Sequence, residues 1–143
     1  MLKIALVQQR ADHDREENLR RGENAFREAA HAGARLVAFA ELAFLRFLPQ
    51  YPAGPEALAK AETIPGPTTE VFSRLAREYG TVAVLNLLEK DGEKTFDSSP
   101  VIDADGRMLG VVRMMHIMEG PGFHERGYYA PGDRRRAVFK TRV

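Results

Sequence analysis

The stretch Arg35–Phe44, RLVAFAELAF, decides the fold. Residues Leu36 to Ala40 are all apolar, and Gly33 precedes them. An apolar run of this length predicts a strand buried on both faces, as in a parallel sheet. Glu41 follows at its C-terminal end, where open α/β sheets bind their ligands. Burying a carboxylate is costly unless it is paired or acts as an acid or base. Glu41 is therefore either a pocket residue or an ordinary solvated loop residue.

Length, composition and charge are those of one soluble globular domain. The chain has 143 residues, of which 44% are hydrophobic, and a net charge of +1. That length can bury a sizeable core, and the charge balance gives no electrostatic case for nucleic acid or membrane. No stretch approaches the roughly 20 apolar residues of a membrane span. The N-terminal segment MLKIALVQQR is too short and too polar for a signal peptide, so a cytoplasmic location is expected.

Cysteine is absent from the sequence. Disulfides, thiolate metal sites and a cysteine nucleophile are therefore excluded within these residues. The short basic run Asp133–Arg136 predicts a solvated turn rather than a phosphate site.

The N-terminal third predicts a strand, a helix and a second strand. Leu2–Gln8 is rich in Ile, Leu and Val, as strands are. Arg15–Ala32 has apolar residues at helical spacing, with Asp12 and Asp14 as N-cap candidates and Gly33 as the C-terminal cap. Together with the apolar run that follows, these segments predict a parallel βαβ unit.

The middle of the chain alternates loop, helix and strand. Phe44–Pro67 contains five prolines and predicts an ordered lid beside the strand end, with a short helical turn at Glu56–Ala61. Thr68–Tyr79 predicts a second helix, which Gly80 closes. Thr81–Leu88 predicts a third strand, again almost wholly apolar.

The C-terminal part predicts an antiparallel meander and a second long loop. Asp91-Gly92 is a strong hairpin signal, and Pro100 indicates an edge or a bulge in the returning strand. From His116 onward the sequence is rich in Gly, Pro, aromatic and charged residues. The further predicted strands are Thr95–Asp103, Met108–Met115 and Ala137–Val143. The whole pattern predicts a mixed-sheet α/β fold.

Several segments, in this order and at this spacing, resemble the N-terminal half of the nitrilase superfamily, the carbon–nitrogen hydrolases. They are KIALVQ, ARLVAFAEL, GPTTEVFSRLAREYG, the Asp-Gly hairpin, VIDADGRMLGVVR and HIMEGPGFHERGYYAPGD. The similarity runs from Lys3 to Val143 and is greatest to the branch with N-carbamoylputrescine amidases and β-ureidopropionases. It implies that residues 1–143 are a partial carbon–nitrogen hydrolase domain that ends before the nucleophile.

The resemblance implies an αββα sandwich, with helices on one face of this mixed sheet, and a site of glutamate, lysine and cysteine. In that family the cysteine thiolate attacks an amide, carbamoyl or nitrile carbon. The glutamate is general base and acid, the lysine stabilises the oxyanion, and a second glutamate positions the site. No cofactor is implied.

The family's site residues carry over only in part. Glu41 matches the general base, and Glu125 matches the second glutamate; the alternative for Glu125 is a loop salt bridge with Arg126 or Arg113. The lysine position is Met114, which cannot supply a positive charge. A frequent asparagine is Asp97 here.

Two other residue groups are weaker site candidates. His116 and His124, near Glu119 and Glu125, fit no standard metal-ligand spacing, so no metal is expected and His116 is predicted to be a structural hydrogen-bond partner. Lys90 and Lys94 flank the hairpin turn and are predicted to point to solvent rather than to replace the lysine.

Two functions from different classes follow. The chain is one half of a hydrolase of small amide or carbamoyl substrates, inactive alone and completed by residues elsewhere or by a complementary chain. Alternatively, it is a non-catalytic binding or assembly module. Half a sandwich leaves apolar sheet surface and an edge strand uncovered, which favours a homo-oligomer or pairing with another chain.

Overall fold

The computed structural model describes residues 1–133 and 138–143. In this part of the chain six strands form one mixed sheet, and the two longest helices pack together on one of its faces. The strands are β1 (Ile4–Val7), β2 (Leu36–Phe39), β3 (Val82–Val84), β4 (Leu87–Asp91), β5 (Lys94–Ile102) and β6 (Met108–Arg113). The helices are α1 (Arg15–His31), α2 (Pro55–Leu58) and α3 (Pro67–Tyr79). The predicted mixed-sheet α/β fold is confirmed.

The sheet joins a parallel half to an antiparallel half. Strands β1, β2 and β3 are parallel neighbours, which confirms the βαβ unit, and β5 pairs antiparallel with β3, β4 and β6. The single strand predicted at Thr81–Leu88 is wrong. The chain leaves strand geometry at Leu85 and Asn86, so β3 and β4 are separate strands on the same edge of β5. Pro100 lies inside the sheet, opposite Val111 and next to a bulge, rather than at an edge.

Helix α1 begins at Arg15, as its sequence indicates, and ends at His31, one residue before the predicted end. The side chain of Asp14 accepts a hydrogen bond from the Glu17 N–H at 3.1 Å, which satisfies one of the free donors of the first turn. Gly33 follows the helix with a φ of 86°, a left-handed conformation that favours glycine. The chain can therefore turn sharply from α1 into β2.

The core between helices and sheet is built around aromatic rings. The rings of Phe26 in α1 and Phe72 in α3 meet edge-to-face, with their centroids 5.8 Å apart. The centroid of Phe72 also lies 5.1 Å from that of Phe39 and 5.3 Å from that of Phe44. Phe44 reaches this cluster from the segment just after β2. The turn that carries Glu41 is therefore anchored to the core through Phe44.

Gly22 is the point where α1 makes room for Phe44. A methyl group at Gly22 would lie 2.5 Å from Cε1 of the buried Phe44 ring. We expect Gly22→Ala to lower the free energy of unfolding by about 1–2 kcal/mol, because overpacking outweighs the gain in helix propensity. Urea unfolding measures this loss. The matched variant Gly120→Ala, in open space, should change stability by under about 0.5 kcal/mol; equal effects would contradict the packing argument.

The opposite face of the sheet is apolar and partly open. Strand β2 was expected to be buried on both faces, but only Val37 and Phe39 are buried, whereas Leu36 and Ala38 are partly accessible. The strand register extends this open face into a row across the sheet. The row consists of Leu6, Ala38, Val84, Val101 and Gly110.

The last residues of the chain cover one end of this face. Phe139 lies so near Gly110 that a methyl group there would be 2.5 Å from the ring. The strand predicted at Ala137–Val143 is wrong for residues 138–143, which have no strand geometry. Ala137, and Arg134 to Arg136 of the predicted solvated turn, lie outside the described residues. In the described part of the chain, no helix is long and apolar enough to cross a membrane.

The long connection after β2 packs beside β4. It contains a 3₁₀ turn at Leu48–Gln50 and α2, and its apolar residues pack against a second buried cluster. The buried members of that cluster are Leu42, Leu88, Tyr128 and Tyr129. At its far end, Glu62 accepts hydrogen bonds from Arg15 at 2.6 Å and from the Thr68 N–H at 3.0 Å.

Candidate active site

The turn after β2 is held in a strained conformation. Leu42 has a φ of 47°, the left-handed region that costs a non-glycine residue about 1–2 kcal/mol. Its N–H donates to Oδ1 of Asn86 at 2.8 Å, and its side chain is buried. Such strain persists only where the surroundings enforce it. The hydrogen bond to Asn86 therefore fixes the position of Glu41, the preceding residue.

Two buried or half-buried amides hold the rest of this turn. The side-chain amide of Gln9 donates to the carbonyl oxygen of Ala43 at 2.9 Å. That of Asn18, which has no exposed surface, donates to the carbonyl oxygen of Phe44 at 3.3 Å. The backbone around Glu41 is thus tied to the segment after β1, to α1 and to the break between β3 and β4.

Asn86 also connects this turn to the hairpin. Its Nδ2 donates to Oδ1 of Asp97 at 2.6 Å and to Oγ of Ser99 at 3.2 Å. The carbonyl oxygen of Asp97 accepts from the N–H of Met114 at 2.9 Å. Glu41, Asp97 and Met114, which are far apart in the sequence, therefore lie at one end of the sheet.

Glu41 and Asp97 form a carboxyl pair. Glu41 is exposed as a residue, but partial burial of its carboxyl group raises its pKa to about 7, assisted by the charge and hydrogen bond of Asp97 and the charge of Glu125. Burial also raises the pKa of Asp97, whereas its hydrogen bonds with Asn86 and Glu41 lower it. The two carboxyl groups therefore share their protons as a pair and do not titrate independently.

Glu125 brings a third carboxylate to the same place. It begins a 3₁₀ turn, is buried, and accepts a hydrogen bond from the Met118 N–H at 2.7 Å. Its charge contributes to the raised pKa values of Glu41 and Asp97. The alternative salt bridge with Arg113 does not form, because Arg113 pairs with Glu89 at 2.6 Å and with Asp91 at 2.7 Å.

Met114 lies beside this group without adding charge. Its side chain packs against the second buried cluster, which contains Leu42 and Tyr129. Within residues 1–133 and 138–143, no Lys, Arg or His forms an ion pair with Glu41, Asp97 or Glu125. Both hairpin lysines are exposed, as predicted; they are Lys90 and Lys94.

Two buried polar atoms at the site accept no hydrogen bond from an N–H group of the described residues. Oδ2 of Asp97 has no N–H partner, and the hydroxyl of Tyr129 has no partner at all among the described residues. Asp97 is 5% exposed and Tyr129 is 4% exposed. Burial raises the pKa of Tyr129, and the charges of Asp97, Glu41 and Glu125 raise it further. The tyrosine hydroxyl therefore lies near the carboxylates.

The histidines considered as metal ligands lie outside this carboxylate group. His116 is exposed, and among the described residues its side chain has no hydrogen-bond partner, so its structural role stays a prediction. Nδ1 of His124 lies 3.3 Å from Oε1 of Glu119. No group of three His, Asp or Glu side chains in the described residues has a geometry that suits a metal ion.

Asn86 and Tyr129 are site residues that sequence reasoning missed. Asn86 interrupts the apolar run TVAVLNLL, just as Glu41 interrupts its own run, so the same reasoning applied to the third strand would have found it. Tyr129 has no comparable signal, because a tyrosine in a loop rich in aromatic residues is unremarkable by composition. Only the fold brings its hydroxyl to the carboxylates.

The raised pKa of Glu41 predicts that stability falls as pH rises. Between about pH 4.5 and the folded value of about 7, the unfolded chain releases the proton that the folded chain retains, so the unfolded state is favoured. Urea unfolding should show a lower free energy at about pH 8 than at about pH 5. Glu41→Gln should reduce this difference, whereas Glu93→Gln, exposed in the hairpin turn, should not. Equal pH dependence in both variants would contradict the assignment.

Comparison with known proteins gives the family. A family model described as carbon–nitrogen hydrolase matches residues 3–143. A citrullinase from Francisella tularensis is 34% identical over 99% of this chain and 49% of that protein. An N-carbamoylputrescine amidase from Oryza sativa is 35% identical over 97% of this chain and 46% of that protein. The chain spans about half the length of the curated relatives that it matches.

Solved structures share the fold. The carbon–nitrogen hydrolase from Helicobacter pylori superposes with a TM-score of 0.86 at 27% identity, over 93% of this chain and 46% of that one. These matches confirm the resemblance to the nitrilase superfamily. They also confirm the predicted fold, which is the N-terminal half of an αββα sandwich. This chain belongs to the carbon–nitrogen hydrolase family.

Proposed function

We propose that this chain forms one wall of a carbon–nitrogen hydrolase site, with Glu41 as general base and acid and Glu125 as a positioning residue. The observation that carries the proposal is the carboxyl group of Glu41, directly after the parallel strand β2, with a pKa of about 7. A group with that pKa exchanges protons near neutral pH, as general acid–base catalysis requires. The reaction class is hydrolysis of a non-peptide C–N bond in amide, N-carbamoyl or nitrile substrates.

The nucleophile is proposed to come from outside these 143 residues, which contain no cysteine. It belongs to the same polypeptide or to a complementary chain. Alone, the chain is proposed to be inactive, because loss of a covalent nucleophile removes several orders of magnitude of rate. The names of the relatives, citrullinase and N-carbamoylputrescine amidase, favour a carbamoyl group on a small amine or amino acid.

Inactivity of the isolated chain is tested directly. The chain is incubated with citrulline, N-carbamoylputrescine and a simple nitrile, and ammonia release is compared with that of Glu41→Ala. Both rates should equal the background. Release above the Glu41→Ala control would contradict the proposed inactivity.

The role of Glu41 needs a completed enzyme. The chain is joined to the second half of the Francisella tularensis citrullinase, which it does not cover. Glu41→Ala should lower citrulline hydrolysis about 100- to 10,000-fold, whereas Glu93→Ala, exposed in the hairpin turn, should leave it unchanged. A folded fusion in which both variants hydrolyse citrulline equally fast would contradict the assignment.

A non-catalytic assembly module is the second candidate. The observation that favours it is the open apolar sheet face, on which Leu6 is 82% exposed and Ile4 is 52% exposed. Light scattering should show a homo-oligomer that Leu6→Lys weakens and Leu2→Lys does not; Leu2, 53% exposed, lies outside β1. A strictly monomeric chain would count against this function. The cytoplasmic location stays a prediction from the sequence.

A further inference from the structure

We propose that Glu41, Asp97, Glu125 and Tyr129 bind a small planar organic cation with several N–H donors, of the amidinium or guanidinium class. We further propose that this cation is the reacting end of the substrate. Binding stands on its own, whereas the second statement rests on the proposed hydrolase function. The net reaction balances as amidinium plus water giving amide plus ammonium.

The absence of a counter-charge distinguishes this carboxylate group from other buried carboxylates of the described chain. Glu62 pairs with Arg15 at 2.6 Å, and Glu89 pairs with Arg113 at 2.6 Å. By contrast, the described residues offer no cationic partner to Glu41, Asp97 or Glu125, and the adjacent position holds the uncharged Met114. Asp97 and Glu125 are buried, and buried carboxylates are normally paired, so the missing charge is expected from a ligand.

The two unpartnered atoms point to the same kind of ligand. Asp97 Oδ2 and the Tyr129 hydroxyl are each buried at more than nine-tenths and lack an N–H partner. Oδ1 of Asp97 is already bound to Asn86, and Oε2 of Glu125 to the Met118 N–H. Once Glu41 is ionised, its carboxylate, the second oxygen of Asp97 and of Glu125, and the tyrosine hydroxyl remain to accept hydrogen bonds.

The number of free acceptors selects the class of cation. Several acceptors that lie near one another suit a planar group with several fixed N–H donors, which binds carboxylates in paired fashion, better than a single point charge. A metal ion is disfavoured, because the described residues contain no suitable three-ligand group. The ligand is therefore organic.

A cationic substrate also accounts for Met114. An amide or carbamoyl substrate is neutral, and a positive side chain is one means of stabilising the charge that develops on its carbonyl oxygen. An amidinium or guanidinium carbon already carries positive charge before attack. With such a substrate, the site requires no lysine at Met114, and a third carboxylate at Asp97 is favourable.

Binding is measured by backbone amide NMR on the full chain at about pH 8, above the pKa of Glu41, so that this carboxyl is ionised. The probes are acetamidinium and methylguanidinium, with the neutral isosteres acetamide and methylurea and the point charge methylammonium. The Leu42 and Met118 amides, which bind Asn86 and Glu125, report the site. The planar cations should bind at least tenfold more tightly than the others. Equal affinities for a cation and its isostere, or for methylammonium and methylguanidinium, would overturn the proposal.

Variants separate the site from general surface charge. Asp97→Asn keeps the shape of the side chain and should weaken acetamidinium binding at least tenfold, whereas Glu93→Gln should not change it. Met114→Lys should abolish binding by supplying an internal cation. If Met114→Lys fails to fold, the proposal is still tested by Asp97→Asn and by the affinities of the wild-type chain for the cations and their neutral isosteres. Unchanged affinity in Asp97→Asn would overturn the proposal.

The pH dependence is a further check. The titratable groups that face Glu41 are Asp97, Glu125 and Tyr129. Acetamidinium binding should tighten as pH rises through about 7 and should release a proton, measured by calorimetry in two buffers of different ionisation enthalpy. If the fused enzyme binds acetamidinium but hydrolyses neither acetamidinium nor citrulline, the hydrolase function and the statement that the cation is the substrate are overturned, whereas cation binding stands. Citrulline hydrolysis without acetamidinium binding would overturn only this inference.

Discussion

Replacing Met114 by lysine is expected to lower the pKa of Glu41 from about 7 by about 1–3 pH units. Met114 packs in the cluster that contains Leu42 and Tyr129, and its N–H donates to the carbonyl oxygen of Asp97. A lysine ammonium at this position reaches the carboxyl pair, and an opposite charge favours the ionised form of both. Carbon NMR titration of the glutamate carboxyl groups measures the shift.

The neighbouring residue provides the matched control. Met115 is 47% exposed and lies outside the second buried cluster. Met115→Lys adds the same charge to the chain, but exposed charges are screened by solvent and salt. The pKa of Glu41 should therefore stay near its original value. Equal shifts in the two variants would mean that net charge, rather than the position of Met114, controls the carboxyl pair.

The parts of the fold that local patterns determine were predicted. The βαβ unit follows from the apolar runs of β1 and β2 and from the cap that Asp14 provides for α1. The hairpin between β4 and β5 follows from Asp91-Gly92, and Gly92 has the φ of 61° that such a turn requires. These signals act over a few residues, so they remain visible in one sequence.

The parts that distant contacts determine were not predicted. The break between β3 and β4 depends on Asn86, which accepts from the Leu42 N–H across 44 positions of sequence. The exposure of Leu36 and Ala38 depends on what covers the sheet, which periodicity cannot reveal. The carboxyl group of Glu41 was predicted from its place after a strand, whereas the Tyr129 hydroxyl reaches the site only through the fold of the last loop.

Replacing Asn86 by alanine is expected to lower the free energy of unfolding by about 2–4 kcal/mol, since each buried group left without a partner costs about 1–3 kcal/mol. The change removes the acceptor of the strained Leu42 N–H and the donors to Asp97 and Ser99. It should also raise the pKa of Asp97 further, because the hydrogen bond from Asn86 lowers it. Urea unfolding and carbon NMR titration measure the two effects.

Two comparisons isolate the cause of the Asn86→Ala effect. Asn24→Ala removes an exposed asparagine of α1 that accepts from Arg27 at 3.4 Å, and should cost under about 0.5 kcal/mol. Asn86→Asp keeps the acceptor for Leu42 but replaces the donor to Asp97 with a like charge, so its loss should grow as pH rises and both carboxyls ionise. If Asn86→Ala costs no more than Asn24→Ala, Asn86 does not hold the turn that carries Glu41.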